Sequence, residues 1–255
     1  MKPTQPTLSI ITATYNAEEH LPRLIASLIA QTDPDFEWVV ADGGSTDRTL
    51  ELIEAATAKL KAVVVDSRPD FGIYDALNRA IRLASGDYYL VMGADDELFP
   101  EAVAQYKIAC EETGADFVTA NYYIGERDIA SVSQPAWEWR RGMHAHVTSH
   151  AVGLAIRRTL HQRVGQYSRH FPIAADELFV MQAIRSGARV ARRDFIAGRF
   201  HPHGTSGSDL LGSIVEMYRV QVRLGHSLLV QTLLLFCRII RYWLRIQQQR
   251  SKFLL

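Results

Sequence analysis

"EWVVADGGSTDRTLELIEAATAKLKAVVVDS", residues 37–67, decides the fold. Its first part, "EWVVAD" (37–42), is a short apolar run ending on an acid and reads as a strand. "TDRTLELIEAATAKL" (46–60) places apolar residues at helical spacing, and "AVVVDS" (62–67) is again a strand. A strand, a helix and a strand in that order make a β-α-β unit, with parallel strands and a right-handed crossover. The pattern extends both ways. "TLSIITAT" (7–14) reads as strand and "AEEHLPRLIASLIAQ" (17–31) as helix. "IYDALNRAIRLAS" (73–85) is helical and "DYYLVMG" (87–93) is a fourth strand. The class is α/β.

Ligands of such sheets bind at the carboxyl ends of the strands. Acids stand at those ends: Asp42 after the second strand, Asp66 in the third, Asp95 and Asp96 after the fourth. Loop aspartates also form turns and cap helices. That accounts well for Asp47 and less well for the Asp95–Asp96 pair. Beyond residue 115 the alternation loosens. "ADFVTANYYIG" is a candidate strand, "AADELFVMQAIRSG" (174–187) a helix, and "ARVARRDFIAGRF" (188–200) is strand-like. No repeat, low-complexity stretch or clear linker precedes about residue 207.

The 255 residues carry 28 basic and 28 acidic side chains, so no global field argues for nucleic acid. Cys110 and Cys237 lie far apart in apolar helical patterns and are expected to be buried free thiols. The amino terminus passes straight into a strand-turn pattern without a signal-peptide core, which predicts a cytoplasmic chain.

Four blocks carry a family likeness: "SIITATYNAEEHLPRLIASLIAQ", "WVVADGGSTDRTLELI", "SRPDFGIYDALNRAIRLASGDYYLVMGADDE" and "AADELFV". In this order and spacing, over roughly residues 7 to 205, the chain resembles the family 2 glycosyltransferases, most closely bacterial enzymes of polysaccharide and lipid-linked oligosaccharide assembly. The resemblance implies a GT-A, Rossmann-like, mostly parallel central sheet flanked by helices, over residues 1–207. A helical appendage at 208–255 follows. It implies inverting transfer from a nucleotide-diphosphate sugar to an acceptor, a glycan or lipid-linked glycan.

The resemblance also implies roles. Thr12, Thr14, Tyr15 and Asn16 would wall the base slot, and Asp42 would meet the base. "GADDE" matches the family's metal motif, with Asp96 as the ligand of Mg²⁺ or Mn²⁺ and Asp95 as ribose or outer partner. Many relatives carry Asp or Asn where Gly93 stands. In "RPDFGIYDALN", Arg68, Asp70, Tyr74, Asp75 and Asn78 would approach the donor sugar and diphosphate; a capped helix with a solvated polar face is the alternative for Asp75 and Asn78. Asp176 matches the general base, which a carboxylate near the attacking hydroxyl serves well. Glu177 points about 100° away on a helix, so both cannot serve. Leu178 stands where a second Asp is common. His150 would lie near the acceptor mouth, and His201, with His203, on a loop over the diphosphate. "HAHVTSH" (144–150) and the second histidine segment lack thiolates, which disfavours zinc.

In the tail, "SLLVQTLLLFCRIIRYWLRIQQQRSKFLL" (227–255), Ser227, Gln231, Arg238, Arg241 and Arg245 share an arc of about 80°. Three arginines disfavour a bilayer span. A wide apolar face with a basic stripe suits a helix lying at the inner membrane surface, with docking on the protein's own core or a dimer partner as the alternative. Two rival readings remain for the whole chain. One is a non-catalytic sugar-nucleotide-binding or scaffold subunit, for which Gly93 and Leu178 speak. The other is a nucleotidyltransferase, against which "TATYNAEEH" speaks, having neither glycine nor lysine.

Overall fold

The computed structural model describes residues 7–126, 128–131, 137–201 and 209–253. Four strands form the half of the sheet that the alternation predicts: β1 (Leu8–Thr14), β2 (Glu37–Asp42), β3 (Val63–Ser67) and β4 (Tyr88–Val91). Helices α1 (Leu21–Ile29), α2 (Thr49–Thr57) and α3 (Ile73–Leu83) connect them. All three strand pairs within this half are parallel.

The second half of the sheet is mixed, with parallel and antiparallel pairs. It holds β5 (Glu97–Leu98), α4 (Ala102–Thr113), β6 (Phe117–Ile124) and β7 (Asp128–Ala130). A short helix α5 (Glu138–Arg141) leads into a single 3-10 turn (Gly142–Ala145). Then come β8 (Leu154–Arg157), α6 (Leu160–Val164), α7 (Ala175–Arg185) and β9 (Val190–Phe200). The strand order is β3-β2-β1-β4-β8-β6-β9-β5, with β7 against β6. β8 runs antiparallel to both β4 and β6. Helices α8 (Leu210–Arg223) and α9 (Leu228–Phe253) follow.

Side-chain alternation along the strands builds two cores, one on each face. Ile11, Val39, Tyr89 and Phe117 point to the face covered by α3 and α7. Ile10, Trp38, Val40, Tyr88 and Leu90 point to the other, covered by α1 and α4. A sheet buried on both faces requires the near-continuous apolar runs seen in the sequence. Cys110 lies in the second core, where burial pushes its thiol up to about 12. Cys237 departs from expectation: it is exposed on α9.

The appendage begins at a defined cap. Asp209 Oδ1 accepts the Gly212 amide at 2.7 Å and so satisfies an amide of the first turn of α8. Asp209→Ala is expected to destabilise the chain by about 1 kcal/mol, read as a shift of the urea midpoint. The expected boundary at 207/208 lies outside the described residues.

The tail docks in a way the sequence did not predict. Two members of its polar stripe bond to the protein, Gln231 Nε2 donating to Trp139 O at 2.7 Å and Arg238 Nη2 to Arg140 O at 2.6 Å, while Ser227, Arg241 and Arg245 are exposed. The apolar face also remains outside. Leu229, Leu233, Phe236, Ile240, Trp243 and Leu244 are 53–76% exposed. Among the described residues no helix is long and apolar enough to cross a membrane.

Candidate active site

Register brings the ends of the first three strands to one rung: Thr14 pairs with Asp42, and Asp42 with Ser67. Asp42 is wholly buried there. Its carboxylate accepts Thr14 Oγ1 at 3.1 Å, Ser67 Oγ at 2.7 Å, the Gly44 and Ser45 amides at 3.0 and 2.9 Å, and Ser45 Oγ at 2.5 Å. Burial alone would raise its pKa; these donors outweigh it and keep the acid below its ordinary value. With every lone pair engaged, Asp42 organises the turn.

Four further residues of the expected site also meet protein partners. Thr12 is buried and accepts the Trp38 indole N–H at 3.0 Å, so it braces the core instead of walling a slot. Asn78 clamps the Tyr167 backbone, donating to its O at 2.9 Å and accepting its N–H at 3.0 Å. Asp75 is buried against Arg169. Arg68 leans outward to Asp66 at 3.4 Å, in a hollow between β3 and α3. What sequence reasoning missed is Arg79. It is buried beneath the strand ends, bonding Asp42 O at 3.0 Å and Asp66 at 3.2 Å, and lies 3.6 Å from Asp70. No motif singles it out, because its role exists only once the strands are aligned.

The remaining expected residues do converge, on two adjoining hollows at the carboxyl ends of the strands. The outer one, about 410 Å³, is lined by Thr14, Tyr15, Asn16, His20, Asp70 and Asp95. Asn16 sits there with φ 46°, its amide side chain accepting the Thr46 N–H at 2.9 Å. The inner one, about 360 Å³, is lined by Tyr74, Asp95, Asp96, His150, Asp176 and His201, among others. Both share Ala13, Ile73, Gly93 and Asp95 in their walls, so they form one cleft with Asp95 at the seam. The inner hollow also takes Met143 and His144 from the 3-10 turn, which the sequence reading had not placed in a site.

Within the acidic pair the two carboxylates differ. Asp96 is buried and accepts the Gly93 amide at 2.9 Å and the His201 amide at 3.0 Å. Burial, with the neighbouring Asp95 charge, pushes its pKa up to about 7. Asp95 Oδ2 is buried with no hydrogen-bond partner among the described residues, and so is His201 Nδ1. Gly93 leaves room for both carboxylates: a Cβ there would stand 2.8 Å from Asp96 Oδ2 and 2.9 Å from Asp95 Oδ1, so a side chain would displace them. The orphaned Asp95 oxygen in an acidic seam suits a hard divalent cation. Among the described residues no group of three or more His, Cys, Asp or Glu side chains could hold a metal without help. Phosphate oxygens and water would have to complete the shell, as is usual for Mg²⁺. The same finding leaves no zinc cluster among the described histidines; His203 and the rest of its loop lie outside them.

Asp176 opens α7. Its Oδ1 accepts Tyr74 Oη at 2.8 Å and the Glu177 amide at 2.8 Å. His150 Nδ1 lies 3.8 Å from its Oδ2. A buried chain behind His150 fixes its tautomer. Burial drops the His161 pKa to about 4, so its ring is neutral. His161 Nδ1–H donates to Gly165 O at 2.9 Å, and Nε2 therefore accepts from Tyr89 at 2.7 Å. Tyr167 then donates to Tyr89 at 2.8 Å, and His150 Nε2–H donates to Tyr167 at 2.6 Å. This order leaves the His150 Nδ1 lone pair toward Asp176. Glu177 points elsewhere, as helical geometry predicts. It is buried, accepts the Met143 amide at 3.1 Å and Gln221 Nε2 at 3.2 Å, and burial pushes its pKa up to about 8. Leu178 is packed in the core below.

A doubly covered sheet with an acidic seam at its strand ends, and one exposed-side carboxylate facing it, defines a group-transfer enzyme of the nucleotide-binding α/β class. The chain belongs to glycosyl transferase family 2, whose family model matches residues 9–185. It is 31% identical over 191 residues to a PGL/p-HBAD biosynthesis glycosyltransferase of Mycobacterium bovis, covering 73% of each chain. It is 34% identical over 124 residues to the chondroitin synthase of Escherichia coli, covering 49% of this chain and 18% of that one. The fold matches S. aureus TarS 1-349, solved with UDP-GlcNAc, at a TM-score of 0.70 and 21% identity, over 93% of this chain and 72% of that one. It also matches the mannosyltransferase PcManGT of Pyrobaculum calidifontis, solved with GDP-Man and Mn²⁺, at 0.68 and 17% identity, over 88% and 66%. The GT-A architecture is therefore established.

Proposed function

We propose that the protein is an inverting, metal-dependent glycosyltransferase. It moves a sugar from a nucleotide-diphosphate sugar to a lipid-linked glycan, at the cytoplasmic face of the inner membrane. The observation that carries this reading is the cleft divided at Asp95, which gathers Asp95, Asp96 and Asp176 in the walls of its inner half. The outer hollow, with Tyr15 exposed at its rim and Asp70 in its wall, receives the base and ribose. The diphosphate lies over the seam. Asp95 would hold the divalent cation, while Asp96 holds the turn through the Gly93 and His201 amides. When bound, the cation offsets the charge that grows on the diphosphate as the sugar leaves.

Asp176 takes the proton of the acceptor hydroxyl as its oxygen bonds to the anomeric carbon. The bond from that carbon to the diphosphate oxygen breaks, and its electron pair leaves with the diphosphate. Tyr74 Oη holds Asp176 in place, and the His150 Nδ1 lone pair faces the acid so formed. One base and one displacement invert the anomeric centre; retention by double displacement needs a carboxylate nucleophile on the opposite face. Structures of fold neighbours with UDP-GlcNAc and GDP-Man support a nucleotide-sugar donor. The lipid-linked acceptor is supported by the outward apolar face of α9, which would bring the chain to a membrane surface. The rival reading, a non-catalytic subunit, rested on Gly93 and Leu178. Packing accounts for both: Gly93 gives room to the acidic turn, and Leu178 fills the core. Thermal stabilisation by a panel of nucleotide sugars with Mn²⁺, followed by NMR of the product anomer, tests the assignment. No stabilisation by any of them sinks it.

Membrane contact rests on the outward apolar face of α9. Six large apolar side chains on one arc are unfavourable in water, and burial recovers roughly 25 cal/mol per Å². The full chain is expected to co-sediment with anionic liposomes. Ile240→Glu with Leu244→Glu should abolish this while nucleotide-sugar binding persists. A chain that ignores liposomes, or whose binding survives both glutamates, removes the membrane from the proposal.

A further inference from the structure

We propose that the cleft between α5, α8 and α9 is a binding site for the phosphate end of a lipid phosphate, the carrier of the acceptor sugar. The proposal rests on the reading of the acceptor as lipid-linked. The cleft is large, about 940 Å³, and stands apart from the divided cleft of the active site.

Its charge is of one sign. Arg140 and Arg141 line it from α5, Arg238 and Arg241 from α9, and no carboxylate lines it among the described residues. The acid of α5 is engaged elsewhere: Glu138 lies 3.1 Å from Arg185, 3.1 Å from His146 and 3.4 Å from His226. Arg140, Arg238 and Arg241 form no salt bridge among the described residues. Arg238 Nη1 is buried and lacks a hydrogen-bond partner there. Burial lowers the Arg238 guanidinium pKa, with the Glu177 charge opposing and the Arg140 charge adding to the shift. Guanidinium groups in a cluster are suited to phosphate oxygens, which they can meet with paired N–H donors.

The rest of the wall is apolar. Trp137, Ile214, Met217 and Leu234 complete it. A free phosphate has no use for that surface, and a nucleic acid backbone would need an open basic face. An anionic amphiphile matches both walls. The helical wheel of α9 supplies the path for its tail. Taking Ile240 as zero, Leu244 lies at about 40°, Cys237 at about 60°, and Arg241 and Leu234 at about 100° and 120°. The cleft thus opens past Cys237, which is exposed, onto the outward apolar face.

The location fits an acceptor. α5 runs directly into the 3-10 turn whose Met143 and His144 wall the inner hollow with Asp176. A sugar attached to a phosphate held by Arg140 begins one short turn of chain from the wall of the inner hollow.

The test uses the purified full chain and farnesyl phosphate as probe, followed by calorimetry or by the fluorescence of Trp137. Saturable binding is expected. Arg140→Gln with Arg241→Gln should weaken it about tenfold or more, since each charge-assisted bond contributes on that scale. Arg238 is left intact because it also ties α9 to α5. Met217→Trp, which fills the apolar wall and keeps all four arginines, should weaken it similarly. Nucleotide-sugar binding with Mn²⁺ should not change in either variant; its absence in the parent would sink the glycosyltransferase reading separately. Unaltered farnesyl phosphate affinity in both variants overturns the site. So does inorganic phosphate binding as tightly as farnesyl phosphate, which would make this a simple anion site. Failure to bind farnesyl phosphate, with Arg-dependent binding to phosphatidylglycerol vesicles, assigns the cleft to bulk headgroups and overturns the carrier.

Discussion

Asp176→Asn is expected to lower turnover on the order of 100-fold or more, while nucleotide-sugar affinity stays within a few-fold of the parent. The asparagine keeps the size and one acceptor oxygen. That oxygen can still take the Tyr74 hydroxyl and the Glu177 amide, each now 2.8 Å from Asp176 Oδ1, so the head of α7 stays in place. What is lost is basicity toward the incoming hydroxyl. The loss acts only as the proton moves, and therefore falls on turnover and not on donor binding. Steady-state kinetics with calorimetry of the donor separate the two. A variant turning over near the parent rate would move the base. Glu177 could not inherit the role, because its carboxyl is buried and engaged by Met143 and Gln221. His150, whose Nδ1 faces the same hollow, would be next.

The parallel half of the fold was legible because both its signals are local. Apolar runs of strand length alternate with helical spacing, and every strand from β1 to β4 appears within a residue or two of its expected bounds. The second half was not, because its order comes from pairing between distant segments. β8 is four residues long and carries no turn signal, yet it joins β4 to β6 and reverses the sheet.

The candidate site divides in the same way. Asp95 and Asp96 stand out by their place after a strand, and the family resemblance adds Tyr15, Asn16, Asp70, Tyr74, His150, Asp176 and His201; the cleft gathers them. Thr12, Asp42, Asp75 and Asn78 stand in equally suggestive positions. Whether such a side chain meets ligand or protein depends on what lies across from it. For Asp42 that is Thr14 and Ser67 on the same rung, and no spacing in the sequence states a register. The tail repeats the lesson. A helical wheel gave the polar stripe of α9 but not which of its members dock, because Trp139 and Arg140 offer the backbone carbonyls that Gln231 and Arg238 seek.

Asp95→Asn is expected to remove the metal-dependent part of nucleotide-sugar affinity, about 100-fold or more, with the fold intact. The scale follows from deleting the one ligand charge at the seam, where low dielectric strengthens each ionic contact. Asp95 Oδ2 has no described protein partner to lose, so the substitution leaves stability nearly unchanged. Asp96→Asn should behave in the opposite way. Its two oxygens accept two backbone amides, from Gly93 and His201, and an asparagine offers only one acceptor oxygen. One buried amide is then left facing an N–H₂ group, at a cost of about 1–3 kcal/mol. The variant should therefore melt earlier, and metal should still strengthen donor binding to the folded fraction. Calorimetric titration of the nucleotide sugar with Mn²⁺ and with EDTA, alongside thermal melts, distinguishes the two carboxylates. Loss of the metal effect in Asp96→Asn at an unchanged melting temperature, with Asp95→Asn neutral, would return the metal to Asp96 and make Asp95 the outer partner.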